Sequence, residues 1–534
     1  MTPARPEVTV IVNFRERWSL TPQAIQSLID NTSSPYQLWL LDSGMPTALR
    51  QEVERLGSLA GLRIIDVGHE TWPNHARSMV VREITTPYAA FVDNDLVVAP
   101  GWLDKLVECA EQTGAGIVGP LYLWGKDGRS DLIHMAGGDL VIEDENGRRV
   151  MRESHRHFKA HLADLERELV RERCGFAEFH CMLMRREVFS APDIFDPEIF
   201  CVHEHIHASL VASKLGYDTW LEPAARVNYL AFSPWCIGDI PRFRRRWSLA
   251  AAERSLRRFR QRWNVIDDER SMGGVRGFLH THLSHVDPVD PRQLAADTRN
   301  REMQTTDLQQ TLAGLLWLAQ RNGYAGKDLV IMATGFHLAM ELGDGIFRPC
   351  GRPFLNHLAG TASVLVHFGF ALPVVLAGLL HSALSHGSTR RSADADRKIL
   401  GMFARLGPPA QAVTTMVLGY DRRASTYAQL EDPGIQPETL SAEIGVLLLL
   451  EAANDIDMHL SLEVAASNRN DVRRGRLLEL MLYAAAAVEL PAMARTLVAV
   501  REMRPELPSI KFQSEGPGSF RFSEGKMVSA VRRP

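Results

Sequence analysis

Cysteine is scarce in this chain and placed without pattern. The six residues, at 109, 174, 181, 201, 236 and 350, form no C-x-x-C pair. That excludes a zinc knuckle of paired cysteines and argues against a disulfide frame; reduced thiols and a cytoplasmic setting are expected instead. Long apolar runs are also missing: none reaches the ~18–20 residues that span a bilayer. Met1 to Pro6 carries no apolar signal core ahead of the first strand. An excess of one charge is absent too, since 60 Lys and Arg against 64 Asp and Glu leave a formal net charge of -4. That balance argues neither for nor against nucleic acid, and no nucleic-acid partner is assigned. What remains, 45% apolar and 23% charged over 534 residues, is an ordinary globular make-up with material for more than one core.

The stretch that organises the rest runs from Pro87 to Trp102. Residues 88–92 are a short apolar run of the length of a buried strand. Asp93-Asn94-Asp95 follows, Pro100-Gly101 turns the chain, and 102–109 has helical spacing. Carboxylates at the C-terminal end of a buried strand lie where open α/β sheets hold their ligands. Hard divalent cations take oxygen donors and bridge to phosphates. Asp93 and Asp95 therefore read as a metal–diphosphate site; the plainer alternative is that they end a strand and cap the next helix. Upstream, 8–12, 37–41 and 62–67 read as strands, and 23–30, 49–56 and 74–83 as helices. The first of these helices opens with Thr21 as N-cap and Pro22 at its first position. The alternation predicts a parallel sheet covered on both faces.

Six segments then occur in a telling order. They are Val8-Thr9-Val10-Ile11-Val12-Asn13, Asp42-Ser43-Gly44, Asn74-His75-Ala76-Arg77-Ser78, Asp93-Asn94-Asp95, the run 176–189 and Phe195-Asp196-Pro197-Glu198-Ile199-Phe200. Together they resemble the family-2 glycosyltransferases of GT-A fold over most of residues 7–230. The resemblance implies an enzyme that moves a sugar, with inversion, from a nucleotide-diphosphate-sugar donor to an acceptor hydroxyl. Asn13, Asp42, Asn74, Arg77 and Asp93 would face the donor, Asp42 on its nucleoside. Asp93 and Asp95 would hold Mn2+ or Mg2+. The acceptor and the donor sugar are not given by it.

The chain departs from the family at the catalytic acidic pair, where it reads Glu204-His205-Ile206-His207. A base must take the acceptor proton as the hydroxyl attacks, and His205 stands at the aligned position, with Glu204 as the alternative. An imidazole with a reference pKa near ~6.5 can do that work. His207 aligns with the second acidic position, as a third metal ligand or a donor contact. His203, His205 and His207 would share one side of an extended segment; the alternative is that they are surface histidines at a helix start. His134 and His180 read as structural.

Residues 139–172 read as a polar excursion containing a helix, 158–170. Residues 242–262 hold nine arginines interleaved with Phe243, Trp247, Leu249, Leu256 and Phe259. Such a helix either packs its aromatics on its own domain or makes peripheral contact with an anionic membrane. From about 306 the pattern becomes helical, with 3.6-residue apolar spacing in eight segments. Within it, Arg352-Pro353-Phe354-Leu355-Asn356-His357-Leu358 and Ala377-Gly378-Leu379-Leu380-His381-Ser382 resemble the HD phosphohydrolase superfamily. The resemblance implies metal ligands at His357 and His381, but Ser382 and Asn454 stand where the family has aspartates. Asp455 or Asp457 are possible substitutes. A hard cation needs anionic oxygen, so this half is expected to bind a ligand or partner near His357, His381 and His386 rather than to hydrolyse.

The expected architecture is an α/β GT-A nucleotide-sugar-binding domain followed by an all-α HD-like domain. The boundaries are 1–265 for the transferase, 266–305 for a linker, 306–512 for the helical domain and 513–534 for a flexible tail. The rival functions are a nucleotide phosphohydrolase working through the helical half and a non-catalytic scaffold.

Overall fold

The computed structural model describes residues 7–126, 129–230, 233–267, 301–343, 346–348, 352–386, 393–461, 475–502, 520–523 and 526–529. The chain divides into two compact units, Met1–His285 and Val286–Pro534. Most of the expected linker lies outside the described residues. No helix among the described residues is long and apolar enough to cross a membrane.

The first unit is built on one large sheet. Its strands are β1 (Val8–Asn13), β2 (Tyr36–Asp42), β3 (Arg63–Asp66), β4 (Tyr88–Asp93), β5 (Leu96–Val98), β6 (Ile117–Lys126), β7 (Arg129–Met135), β8 (Gly138–Glu145), β9 (Arg148–His155), β10 (Glu172–Cys174), β11 (Cys181–Arg185) and β12 (Thr219–Tyr229). All but β8 and β9 belong to it, along the path β10-β12-β6-β11-β4-β1-β2-β3, with β5 on β12 and β7 on β6. Strands β1 and β4 are buried along their whole length, as expected for central strands of a sheet covered on both faces.

The parallel expectation holds for β4-β1-β2-β3 and fails beyond β4, because β11 runs antiparallel to both β4 and β6. The reversal matters for chemistry. In antiparallel register Cys181 faces Val92, so the residues just before β11 reach the C-terminal end of β4. There the Asp93 N–H donates to the His180 carbonyl at 2.9 Å.

Two further expectations need correction. Thr21 is not a cap: the helix Thr21–Asn31 has no side-chain cap bond, and Thr21 Oγ1 instead accepts from Asn94 Nδ2 at 2.8 Å. The hydroxyl is used to fix the residue between the two aspartates. The helix expected at 158–170 shrinks to one turn, Leu162–Leu165, and the excursion before it is the β8–β9 hairpin. Asn146-Gly147 closes that hairpin with φ of 55° and 76°, the two positive values that a tight two-residue turn demands.

The arginine-rich segment forms two helices, Ile240–Arg246 and Leu249–Trp263, the second opened by Ser248, whose side chain accepts from Ala251 N. Phe243, Trp247, Phe259 and Trp263 are buried in the unit. Several arginines answer acidic groups on the same unit: Arg258 pairs with Asp196 at 2.9 Å, Arg262 with Asp193 and Arg245 with Glu70. The aromatic face that a membrane-lying helix would present therefore points inward.

The second unit is helical. Phe354–His367, buried at most of its positions, packs on Leu372–Leu380 and Ala442–Leu460. Three helices beyond the eight expected, the short Ala383–His386, Arg423–Leu430 and Pro491–Glu502, complete the α-helices described there. Of the expected tail, Phe520–Ser523 and Lys526–Ser529 pair antiparallel.

Candidate active site

The sheet carries Asp93 to the end of β4 and turns at Asn94. Asn94 is locked from several sides: its Oδ1 accepts from Arg15 N at 2.9 Å, and its Nδ2 donates to Arg17 O and Thr21 Oγ1. That leaves Asp95 rigidly placed and fully buried, yet neither of its carboxylate oxygens has a hydrogen-bond partner. Burial, then Glu16 and Asp93, push its pKa up to about 8. A buried, unanswered carboxylate is expensive and fits a cation ligand. Asp93 is better provided. Arg15 Nη1 lies 3.0 Å from its Oδ2 and Arg77 Nη2 lies 3.6 Å from its Oδ1. Burial nonetheless raises its pKa against the pull of both arginines.

The third donor beside the aspartates is His180. Its Nδ1 lies 3.5 Å from Asp93 Oδ2, and Asp93, Asp95 and His180 each bring a donor atom within 4.8 Å of the others'. The geometry thus corrects two expectations. His180, read as structural, stands at the aspartates. His207, read as a metal ligand, does not: its Nδ1 accepts from Trp263 Nε1 at 3.0 Å, and its Nε2 donates to Asp193 O at 2.7 Å. Both ring nitrogens are spent on packing. The signal missed was Glu178-Phe179-His180, an alternating pair placed just ahead of an apolar strand.

The other residues expected to face a donor lie at strand ends and a helix start of the same unit. Asn13 ends β1 beside Asp93, its Nδ2 on Pro73 O at 3.2 Å and its Oδ1 buried without a partner. Asn74 pins the 196–199 loop by donating to Asp196 O and Ile199 O, again leaving Oδ1 unpartnered. Arg77 is buried with its guanidinium 3.7 Å from the Phe179 ring centre; Nε and Nη1 have no acceptor, and burial lowers its pKa to about 10. Asp42 ends β2. Its Oδ1 accepts from Gly44 N and Met45 N, and its Oδ2 from Arg50 at 2.7 Å.

Glu204 and His205, the two residues expected to include the base, open the helix Glu204–Lys214, after His203 at a φ of 62°. Glu204 is buried, 3.7 Å from Arg246. Burial alone would raise its pKa, but Arg246, His205 and Arg77 outweigh it and hold it below the usual value. His205 packs on the Phe176 ring at 5.4 Å and keeps Nε2 buried without a partner. Burial lowers its pKa, against Glu178, Glu204 and Glu153.

In the helical unit His357 and His381 do meet, with ring centres 5.3 Å apart. Ser382 and Asn454 are buried. His357 Nδ1 donates to Asp457 Oδ2 at 2.7 Å, Arg352 forks onto the same carboxylate at 2.8 and 2.9 Å, and His381 Nδ1 donates to Gly378 O. Asp455 is taken by Arg501. The three-donor clusters found among the described residues all lie in the first unit.

With this geometry in view, residues 9–191 match the family model of glycosyl transferase family 2. Within the first unit, the segment 9–191 is thus similar to the family-2 glycosyltransferases. Among curated proteins, the uncharacterized protein y4gI of Sinorhizobium fredii (strain NBRC 101917 / NGR234) is 24% identical over 252 residues, 45% of this chain. The match spans 26% of that protein, so about a quarter of its length is represented. Among solved structures, a crystal structure of GalNAc-T7 with UDP, GalNAc and Mn2+ is 17% identical, with a TM-score of 0.34 over 53% of this chain and 58% of that one.

Proposed function

We propose that the first unit transfers a sugar from a nucleotide-diphosphate donor to an acceptor hydroxyl, with inversion at the anomeric carbon. The observation that carries the reading is Asp95, a buried carboxylate with two unbonded oxygens next to Asp93 at the end of β4. Asp93, Asp95 and His180 would hold Mn2+ or Mg2+, which when bound neutralises charge on the leaving diphosphate. Arg15 and Arg77 add positive charge at the same place. Asn13 and Asp42, at strand ends, and Asn74, in the first turn of the helix Pro73–Val80, would face the donor.

His205 is the base in this reading. Burial keeps its imidazole neutral at pH 7, and its Nε2 is unspent, so it can accept the acceptor's proton. Glu204, held ionised toward Arg246, is the weaker proton acceptor and positions that arginine. The helical unit has a binding or regulatory part, since the carboxylates at its centre are occupied by Arg352, Arg501 and Tyr420.

The test is a screen of the purified chain against nucleotide sugars with and without Mn2+, read by thermal shift and by donor hydrolysis. Metal-dependent stabilisation by one donor class supports the transferase; no response to any donor sinks it.

A further inference from the structure

Beside the aspartates lies a cluster that shares His180 with them and whose other members, His134, His155 and Glu178, have no part in the proposed transfer, which rests on the reading above. Glu178 is ringed by three imidazoles. His134 Nε2 lies 2.9 Å and His180 Nε2 3.6 Å from Glu178 Oε2, while His155 Nε2 lies 3.6 Å from Oε1. Donor atoms of His134, Glu178 and His180 all fall within 4.8 Å of one another. We propose that His134, Glu178 and His180, with His155 at the rim, form a second cation site that takes a divalent transition metal such as Zn2+.

Three observations carry this. The first is charge. The ion-pair partners of Glu178 among the described residues are all imidazoles, whereas a buried carboxylate calls for a full counter-charge. The second is an unused atom: His134 Nδ1 is buried and has no hydrogen-bond partner. The third is the frame. His134 lies on β7, His155 ends β9, and Glu178 and His180 lead into β11, so three strands hold the donors. Aromatic rings close around them. Trp124 lies 5.2 Å from His134, Phe158 6.0 Å and Phe176 5.8 Å from His155, and Tyr229 4.5 Å from His180, centre to centre.

The donor set distinguishes this site from its neighbour. Zinc bonds to nitrogen and carboxylate oxygen at about 2.0–2.2 Å, so donors on one ion stand no more than about 4.4 Å apart. The donor atoms of this cluster, all within 4.8 Å of one another, stand close to that size. Imidazoles with one carboxylate suit zinc, cobalt, nickel and iron, whereas a pair of aspartates suits Mg2+ and Mn2+. His180 is common to both, Nδ1 toward Asp93 and Nε2 toward Glu178. A neutral imidazole has one lone pair to give, so His180 serves one site at a time. Arg15 lies 2.8 Å from the His180 ring nitrogens; filling the site requires it to withdraw toward Asp93 and Glu16, which it already pairs.

The full chain, stripped with chelator, is titrated with Zn2+ by calorimetry and with Co2+ by visible absorption. One zinc per chain is expected to bind and to persist in Asp95→Asn. Glu178→Gln and His134→Ala are expected to weaken it at least about tenfold, and Co2+ should give an absorption band that Glu178→Gln abolishes. Zinc binding lost in Asp95→Asn and unchanged in Glu178→Gln would overturn the proposal, as would no zinc binding at micromolar concentration. If Glu178→Gln melts early in chelator, His155→Ala at the rim makes the same test, and unchanged zinc affinity in it and in His134→Ala is equally fatal.

Discussion

Two buried aspartates show how differently this chain treats charge in its two units. Asp95 lies at the end of β4 with both oxygens unbonded. Asp457, on the helix Ala442–Leu460, accepts three charge-assisted bonds from Arg352 and His357. Both are equally inaccessible. The first is a group kept waiting; the second is already consumed. Burial alone therefore does not mark a site; a buried carboxylate without a partner is what asks for a ligand. The helical unit brings His357 and His381 together as a metal enzyme would, but it closes the carboxylate chemistry with arginines.

The largest expected effect tests the consumed side. Asp457→Ala strands a guanidinium and an imidazole and should destabilise the helical unit by about 3–5 kcal/mol, read as lost hydrogen-exchange protection in that unit. Gly360 offers the same test from across the contact, since a Cβ there would lie 1.8 Å from Asp457 Oδ1; Gly360→Ala should loosen the same helices. A mild effect in both variants would erase the contrast.

Asp95→Asn tests the waiting side. It should leave melting in chelator unchanged or higher, because a buried unpaired charge is removed. Metal-dependent transfer should fall by about a hundredfold or more, the several kcal/mol expected of a lost Lewis acid. A folded variant with wild-type activity would show that this carboxylate waits for nothing.

Next comes the base. His205→Ala should lower turnover by about a hundredfold while sparing donor affinity. In the wild type, activity should fall toward acid pH through a group below 6.5, since burial lowers this imidazole's pKa and only its neutral form accepts a proton. A limb that survives in His205→Ala belongs to another group.

The smallest effect concerns His381. Burial, then His357, lowers its pKa well below 6.5. The unfolded chain takes up its proton first as pH falls, so stability present above about pH 6.5 declines below it, by up to about 1.4 kcal/mol per pH unit. His381→Gln should flatten that decline; a slope left unchanged would assign it elsewhere.

Legibility followed locality. The four parallel strands and the Asp93-Asn94-Asp95 turn announce themselves in contiguous residues, because a doubly covered strand must be apolar throughout. Asp93 and Asp95 can be named as candidates from the sequence for that reason. His180 was missed because its nearness to them depends on β11 running backwards along β4, and pairing direction leaves no mark within the strand itself. His207 was misassigned by alignment to an acidic position; Trp263, which claims its Nδ1, comes from the far end of another helix. The hairpin over 138–155 was legible in Asn146-Gly147 and was overlooked beneath the polar composition of the excursion.

Arg15 gives the waiting site a temporary occupant. Its guanidinium already neutralises Asp93, so a metal arriving alone must evict one cation to install another. A metal that arrives on a diphosphate brings the anion to which the evicted guanidinium can turn. Metal and donor should accordingly load as a single package, each tightening the other's hold, and the empty enzyme should resist being primed with metal in advance.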